Sequence, residues 1–465
     1  MQSRQIMLDA QGTIEEKIVV ARIYKYLIAV LVLSALVLIT HTALNTYFGS
    51  QESAFPYLTV EGSTGPNDIG PLDCLSKMWG GHYFGDFQSE YCRMRQVTPY
   101  PIDRPSSYLP GFYVVSGFIA LLPSSVTAFR VVVMLALAFG AYVMRAHFVR
   151  KDLVKLSPLV LLTFYPFWFA IDRGNYGWIF GPLLVLLATT RTARSQRYWL
   201  LAVAFSLKHP LAIFGLIFFL DGTWRTKCKE LLKFGGMFVF LNFVYPVMQW
   251  PNALRWPALV LSIQGFSSGK DQVGMRSNDF DIRSRSDLQA LRTAFHRLRF
   301  LSELQFRMLV LICIAIVAVV CLKIVLSSQK QKYRNFGLIE VSLVAACLGV
   351  LLSPFSFTYG LMTLLIPLVL LVSPQGDSVR FGGGYLALLT VCTVPNAIPL
   401  TALCNVLFKP MEGAIDADFP TLGTIMIPLL LVTVLLLVAY SAVLSYLSTR
   451  ETQHNPVVVS VDQPQ

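Results

Sequence analysis

Four consecutive polar residues, Asp172-Arg173-Gly174-Asn175, interrupt an apolar, aromatic run between Phe164-Tyr-Pro-Phe-Trp-Phe-Ala-Ile171 and Tyr176-Gly-Trp-Ile-Phe-Gly-Pro-Leu-Leu-Val-Leu-Leu187. A carboxylate, a guanidinium, a glycine and an amide at the end of a membrane helix are costly unless paired or wet, which marks a candidate functional site. The same tetrad also reads as a helix–helix corner, with Asp172 and Arg173 among lipid headgroups and Gly174 turning the chain. A second interruption, Lys208-His209-Pro210, divides the apolar stretch from Tyr198 to Leu220. Its lysine either meets an anionic ligand or snorkels to the headgroups; His209 reads as a hydrogen-bonded residue of the helix break. A third, Ser353-Pro354-Phe-Ser356-Phe-Thr-Tyr359, either brings Tyr359 to the same site or is a proline-set turn. Between residues 45 and 107 lie Asp68 and Asp73, followed by Tyr108-Leu-Pro110-Gly-Phe112.

The elements that must position these groups are membrane helices. Hydrophobic residues make up 55% and charged residues only 14% of the chain, with a mean hydropathy of +0.58, whereas a soluble globular protein carries about 25% charged residues. Many apolar runs approach the roughly 20 residues that span a bilayer. The expected fold is all-α: a polytopic transmembrane helical bundle of about 10–12 membrane segments with a large outer loop after the first span. Spans are expected at Tyr26–Leu44, Phe129–Val143, Leu156–Ile171, Tyr176–Thr189, Phe234–Trp250, Phe306–Val325, Leu338–Leu352, Thr358–Val372, Tyr385–Leu403 and Thr421–Tyr446. Residues 1–450 form one integral membrane domain, with outer loops at 45–107 and 251–304, and 451–465 is a polar, disordered cytoplasmic tail. Met1 to Lys17 lacks the pattern of a cleaved signal peptide, so the first span is expected to stay as an anchor.

The net charge of +12 does not point to nucleic acid. Lys and Arg gather in short connections between spans, where the positive-inside rule puts them. The first outer loop carries seven acidic residues against four Lys or Arg, as suits the outer side. Counting Tyr108–Pro123 as a full crossing reverses the rule for the next connections. Reading it as a segment that returns to the outer side, and Tyr198–Leu220 as two half-helices entering and leaving from inside, restores the rule. Such breaks are tolerated where they are buried or line a wet cavity. Asp172, Arg173 and Lys208 then lie at or near the outer face, with both termini cytoplasmic. The loop 251–304 has eight Lys or Arg against five acidic residues; loops of that length weigh little in the rule.

Asp172-Arg173-Gly174-Asn175, closing one span and opening the next, resembles the family 87 glycosyltransferases, polytopic enzymes that use polyprenyl-phosphate-linked sugars. Two further stretches, Asn67-Asp68 through Tyr108-Leu-Pro110 and Lys208-His209-Pro210, are similar to the same family, and together they cover roughly the first half of the chain. Leu109 replaces a proline of the family's Tyr-Pro-Pro, Pro71 interrupts an expected helix, and the proline after Lys208 comes one residue early. The resemblance implies a GT-C-like fold in the bacterial inner membrane and transfer of a sugar, mannose being common, to a lipid or glycan acceptor. Transfer from a lipid phosphate needs a base within hydrogen-bond reach of the attacking hydroxyl and cations on the departing phosphate. Asp68, or Asp73 in the alternative alignment, would be the base. Arg173, suited to bidentate contact, and Lys208 would hold the phosphate. Asp172 is a second carboxylate or the group that orients Arg173; Asn175, Tyr108, His209 and Tyr359 would support the site. No metal and no cofactor besides the lipid-linked donor is implied.

Asp279-Phe-Asp281 and Asp416-Ala-Asp418 look like metal–nucleotide-sugar motifs, but such a role needs a cytosolic nucleotide-binding domain, and chance spacing in polar loops accounts for them. A transporter or flippase of lipid-linked glycans would also use broken helices and buried charges. An O-antigen polymerase-like protein would use the arginine-rich 251–304 loop. Cys74 and Cys92 share one outer loop, where an oxidising compartment would let them pair; Cys313, Cys321, Cys347, Cys392 and Cys404 read as packing residues.

Overall fold

The computed structural model describes residues 2–48, 85–95, 108–148, 155–190, 194–220, 223–244, 334–351, 358–395 and 422–454, with isolated helical positions at 246 and between 305 and 319. Asp68, Asp73, Cys74, Ser353 and Pro354, and the stretches 251–304 and 396–421, lie outside the described residues. Among the described residues the regular elements are helices and none is a strand. Among the described residues three helices are long and apolar enough to cross a membrane, Glu16–Leu44, Ser125–His147 and Leu422–Leu444, and seven shorter apolar helices accompany them.

The first helix, α1, runs Gln2–Phe48. The polar residues ahead of the span expected at Tyr26–Leu44 are continuous helix with it. Gln, Glu, Lys, Met and Ala carry helix propensity across the change from polar to apolar sequence, and no proline intervenes. Next come α2 (Gly85–Met94) and α3 (Pro110–Ser116), which tightens into a 3-10 turn over Gly117–Leu121. Together α3 and this turn rise about 20 Å, short of the ~30 Å hydrocarbon core. The second candidate span, α4 (Ser125–His147), starts at Ser124, whose side chain accepts from the Thr127 N–H at 3.3 Å.

Where one span was expected over Leu156–Ile171 there are two short helices, α5 (Ser157–Leu162) and α6 (Tyr165–Asp172). Pro166 is the cause: it has no N–H to give and its ring excludes the carbonyl four residues back. That carbonyl, Leu162 O, accepts instead from Trp168 Nε1–H at 2.6 Å. The next helix, α7 (Tyr176–Thr189), has the expected bounds. Its last carbonyls are closed by Arg197 Nε–H on Ala188 O (3.1 Å) and His147 Nε2–H on Leu186 O (2.9 Å), groups that a helix end leaves open.

Then follow α8 (Arg197–Leu207), a 3-10 helix over His209–Phe219, and α9 (Trp224–Val239), which passes into a π-helical turn over Phe240–Val244. The expected start at Phe234 lies ten residues inside α9. Thr223 caps the helix by accepting from Thr226 N–H at 3.4 Å, and this polar cap extends it beyond the apolar window. The C-terminal part holds α10 (Arg334–Leu351), a 3-10 stretch over Thr358–Leu364, α11 (Leu365–Val372), a 3-10 turn over Pro374–Ser378, α12 (Gly382–Cys392) and α13 (Leu422–His454). The last helix continues past Arg450, where the polar tail was expected to begin.

Lipid offers apolar helices no hydrophobic drive to associate, so small residues that allow close approach carry the packing. In α4, Gly140 faces the Leu161 side chain; in α7, Gly181 faces Leu211 and Ala204 O. With Tyr176, Trp178, Ile179, Leu183, Val185 and Leu186 all buried, α7 is a central element. It carries the candidate site at its first turn.

Candidate functional site at the first turn of α7

The tetrad first solves a backbone problem. At the end of α6, Asn175 N–H donates to Ala170 O and Gly174 N–H to Ile171 O, both at 2.9 Å. This pair is a Schellman closure, which needs a left-handed residue after the cap. Gly174 supplies it with φ +69°, so the corner reading of Gly174 is what the structure shows. Asn175 then opens α7, but its side chain makes no cap hydrogen bond. Tyr108 Oη–H donates to Asn175 Oδ1 at 3.5 Å, the long end of the hydrogen-bond range. Asp172 and Arg173 are half-buried at this corner. Burial lifts the Asp172 carboxyl to about 6, while the Arg173 guanidinium beside it pulls the other way.

The second interruption reaches the same place. Lys208 ends α8 in extended backbone, φ −150° and ψ 107°, before the 3-10 helix opens at His209-Pro210. Its Nζ lies 4.1 Å from the centroid of the Tyr108 ring and 5.7 Å from that of Trp178. Aromatic faces attract an ammonium by about 0.5–1 kcal/mol at exposed sites and more where water is excluded, so the two rings favour this placement of the lysine. The α7 backbone comes this close because residue 177 is glycine: a Cβ there would meet Leu207 O at 2.9 Å. Tyr359 joins from the C-terminal part, its ring 6.4 Å from Trp178 and 6.0 Å from Phe169. His209 adjoins Lys208 in the break, with Nε2 buried.

Tyr108, Asn175, Lys208 and Tyr359 are therefore gathered round Trp178. Asp172 and Arg173 stand at the corner that leads into Asn175. Asp68 and Asp73 lie outside the described residues. Sequence reasoning missed Trp178, which reads as one more apolar aromatic, and Phe112, stacked on Tyr108 at 4.1 Å and on Tyr176 at 5.0 Å.

It also missed α2. Phe87 meets Tyr176 edge-on at 5.8 Å. The buried Glu90 accepts from Tyr113 Oη–H at 2.6 Å and pairs with Arg93 Nε at 3.5 Å. Arg95 Nη1–H bonds reach Ala120 O (2.7 Å) and Leu122 O (2.9 Å). The signal was there in Phe87 and Tyr91, four residues apart on one helical face. On the same helix Cys92 is disulfide-bonded; Cys74 lies outside the described residues. Cys228, Cys347 and Cys392 are free.

The raised Asp172 carboxyl makes a prediction whose sign is fixed by linkage. The fold favours its protonated form, so the stability it contributes is full below 3.8 and is lost as pH rises through about 6. Asp172→Asn stays neutral throughout. It should be more stable than the natural protein at pH 8, by on the order of 1 kcal/mol once solvent screening of a half-exposed group is allowed, and unfold at higher temperature. The two should converge near pH 4. Thermal unfolding in detergent at pH 4, 6 and 8 checks this; a variant that melts lower at pH 8 would show that Arg173 holds the ionised carboxylate.

Among the described residues no three His, Cys, Asp or Glu side chains gather as a metal set. No family model matches the chain, and no curated protein or solved structure matches it either.

Proposed function

We propose that the chain is a GT-C-like multi-pass membrane glycosyltransferase that moves a sugar from a polyprenyl-phosphate donor to a lipid or glycan acceptor at the outer face of a bacterial inner membrane. The observation that carries this reading is the meeting of Lys208 with Tyr108 and Trp178, which in turn contact Asn175 and Tyr359, beside the Asp172-Arg173 corner. A cation fixed on aromatic faces at the end of broken apolar helices suits a phosphate that arrives on a lipid. Lys208 and Arg173 neutralise that phosphate as it leaves, and Asp68 takes the proton of the attacking hydroxyl. Asp172 orients Arg173.

The disulfide at Cys92 supports the orientation, because such bonds persist in oxidising compartments, and α2 packs against Tyr176 and so against the first turn of α7. Both termini are then cytoplasmic. Cysteines introduced by Ser107→Cys and Arg173→Cys should react with a membrane-impermeant thiol reagent in intact cells, and one introduced by Thr192→Cys should not. Arg173 serves here because Asn175 is only 3% exposed. Labelling at Thr192 and not at Arg173 would invert the orientation and remove the site from the outer face.

The decisive experiment is radiolabelled transfer from a panel of polyprenyl-phosphate sugars by the purified protein in detergent. The helix break at Lys208 favours one second reading, a transporter of lipid-linked glycans. Absence of transfer from every donor, with passage of a lipid-linked sugar across proteoliposomes, would replace the enzyme by the transporter.

A further inference from the structure

The helix that follows Tyr108 begins without a cap of its own. Leu109 has no side-chain acceptor for the first turn of α3, and the first N–H groups of a helix need one. The N–H of Gly111 finds it 131 residues away in sequence: it donates to Asn242 Oδ1 at 2.8 Å in a buried hydrogen bond. Asn242 is itself 0% exposed. Its Nδ2 donates to Ser206 Oγ (2.8 Å) and Phe238 O (2.9 Å), and Ser206 Oγ–H passes on to Ala202 O (2.8 Å). The junction is tight. A Cβ on residue 111 would lie 2.6 Å from Asn242 Oδ1 and 2.8 Å from Ser206, so glycine is required there.

Asn242 sits in the π-helical turn Phe240–Val244. Such turns re-aim side chains within a helix and recur at functional sites. One carboxamide thus ties together three elements: α3 three residues after Tyr108, α8 two residues before Lys208, and the end of α9. Phe112, next to the capped Gly111, stacks on Tyr108, and the Tyr108 ring carries the Lys208 ammonium. We propose that Asn242 is a positioning residue, which by capping α3 from α9 and holding Ser206 of α8 sets the separation of Tyr108 and Lys208. Its consequence for turnover rests on the glycosyltransferase reading; its consequence for geometry does not.

The experiment therefore has two arms. In the first, a short bis-methanethiosulfonate links the cysteines of a Tyr108→Cys/Lys208→Cys protein. Adding Asn242→Leu, which keeps the branching and heavy-atom count and removes all three hydrogen bonds, should slow linking at least tenfold. Asn242→Asp, which keeps the shape and an acceptor for Gly111 N–H, should restore it to within about threefold. In the second arm, Asn242→Leu should raise KM for the donor more than it lowers kcat, and should add nothing in a Lys208→Met background, since residues acting through one another are non-additive. Should Asn242→Leu not fold, Ser206→Ala loosens the same carboxamide and should give a partial effect in the same direction. Unchanged linking, or full additivity with Lys208→Met, overturns the proposal. A protein whose linking responds but which transfers no sugar retains the positioning role and loses the glycosyltransferase reading.

Discussion

Asp68→Asn should lower sugar transfer by about 10²–10⁴ while donor binding stays within about threefold of the natural protein. Asparagine keeps the volume of the side chain and one acceptor oxygen, so binding contacts survive. It loses the basicity that the proposed general-base role requires, so the expected loss falls on kcat. The comparison variant is Asp73→Asn, five residues further along the same loop. Near-normal turnover in Asp68→Asn with abolition in Asp73→Asn would move the base to Asp73. Loss in neither would make Asp172→Asn the next test, and a chain indifferent to all three carboxylates would not be a glycosyltransferase of this kind. Initial-rate kinetics with a saturating acceptor separate kcat from KM in each case.

Lys208→Met should reduce kcat/KM for a polyprenyl-phosphate donor by about 10²–10³, the usual cost of removing one charge-stabilising group from a reacting centre. Methionine keeps the unbranched stem, and its sulfur makes favourable contact with an aromatic ring, so the packing against Tyr108 and Trp178 is largely retained. What disappears is the ammonium 4.1 Å from the Tyr108 ring centroid. If that ammonium serves only to reach the headgroups, transfer should stay within about threefold. A midpoint of thermal unfolding close to that of the natural protein is the condition under which the two outcomes separate cleanly.

Where local chemistry decides, the sequence was a good guide. The bounds of Tyr176–Thr189 follow from Gly174-Asn175 before it and the polar connection after it, and the break at Lys208 follows from His209-Pro210. Where long-range partners decide, it was not. Nothing local distinguishes Trp178 from its aromatic neighbours, because its role comes from a lysine thirty residues on and a tyrosine far beyond that. The split of α5 from α6 is invisible to hydropathy, since Thr163-Phe164-Tyr165 is nearly as apolar as what surrounds it; the split depends on Pro166 and on Trp168 reaching back. The early start of α9 is hidden for the opposite reason: a capped, basic helical start scores as a connection. Asn242 lay inside an expected span, where a single amide is easily read past, and only its partners reveal what it holds.

The first helix has a practical consequence for imaging. Residues 2–15 of α1 continue beyond Glu16–Leu44 without a break, and at 1.5 Å per residue they extend roughly 20 Å past the apolar segment. A continuous helix transmits rotation as well as distance, which a flexible linker does not. A rigid helical partner fused in register ahead of Gln2 would therefore be carried clear of the detergent belt at a fixed angle to the bundle. It would supply an orientational marker for aligning particle images.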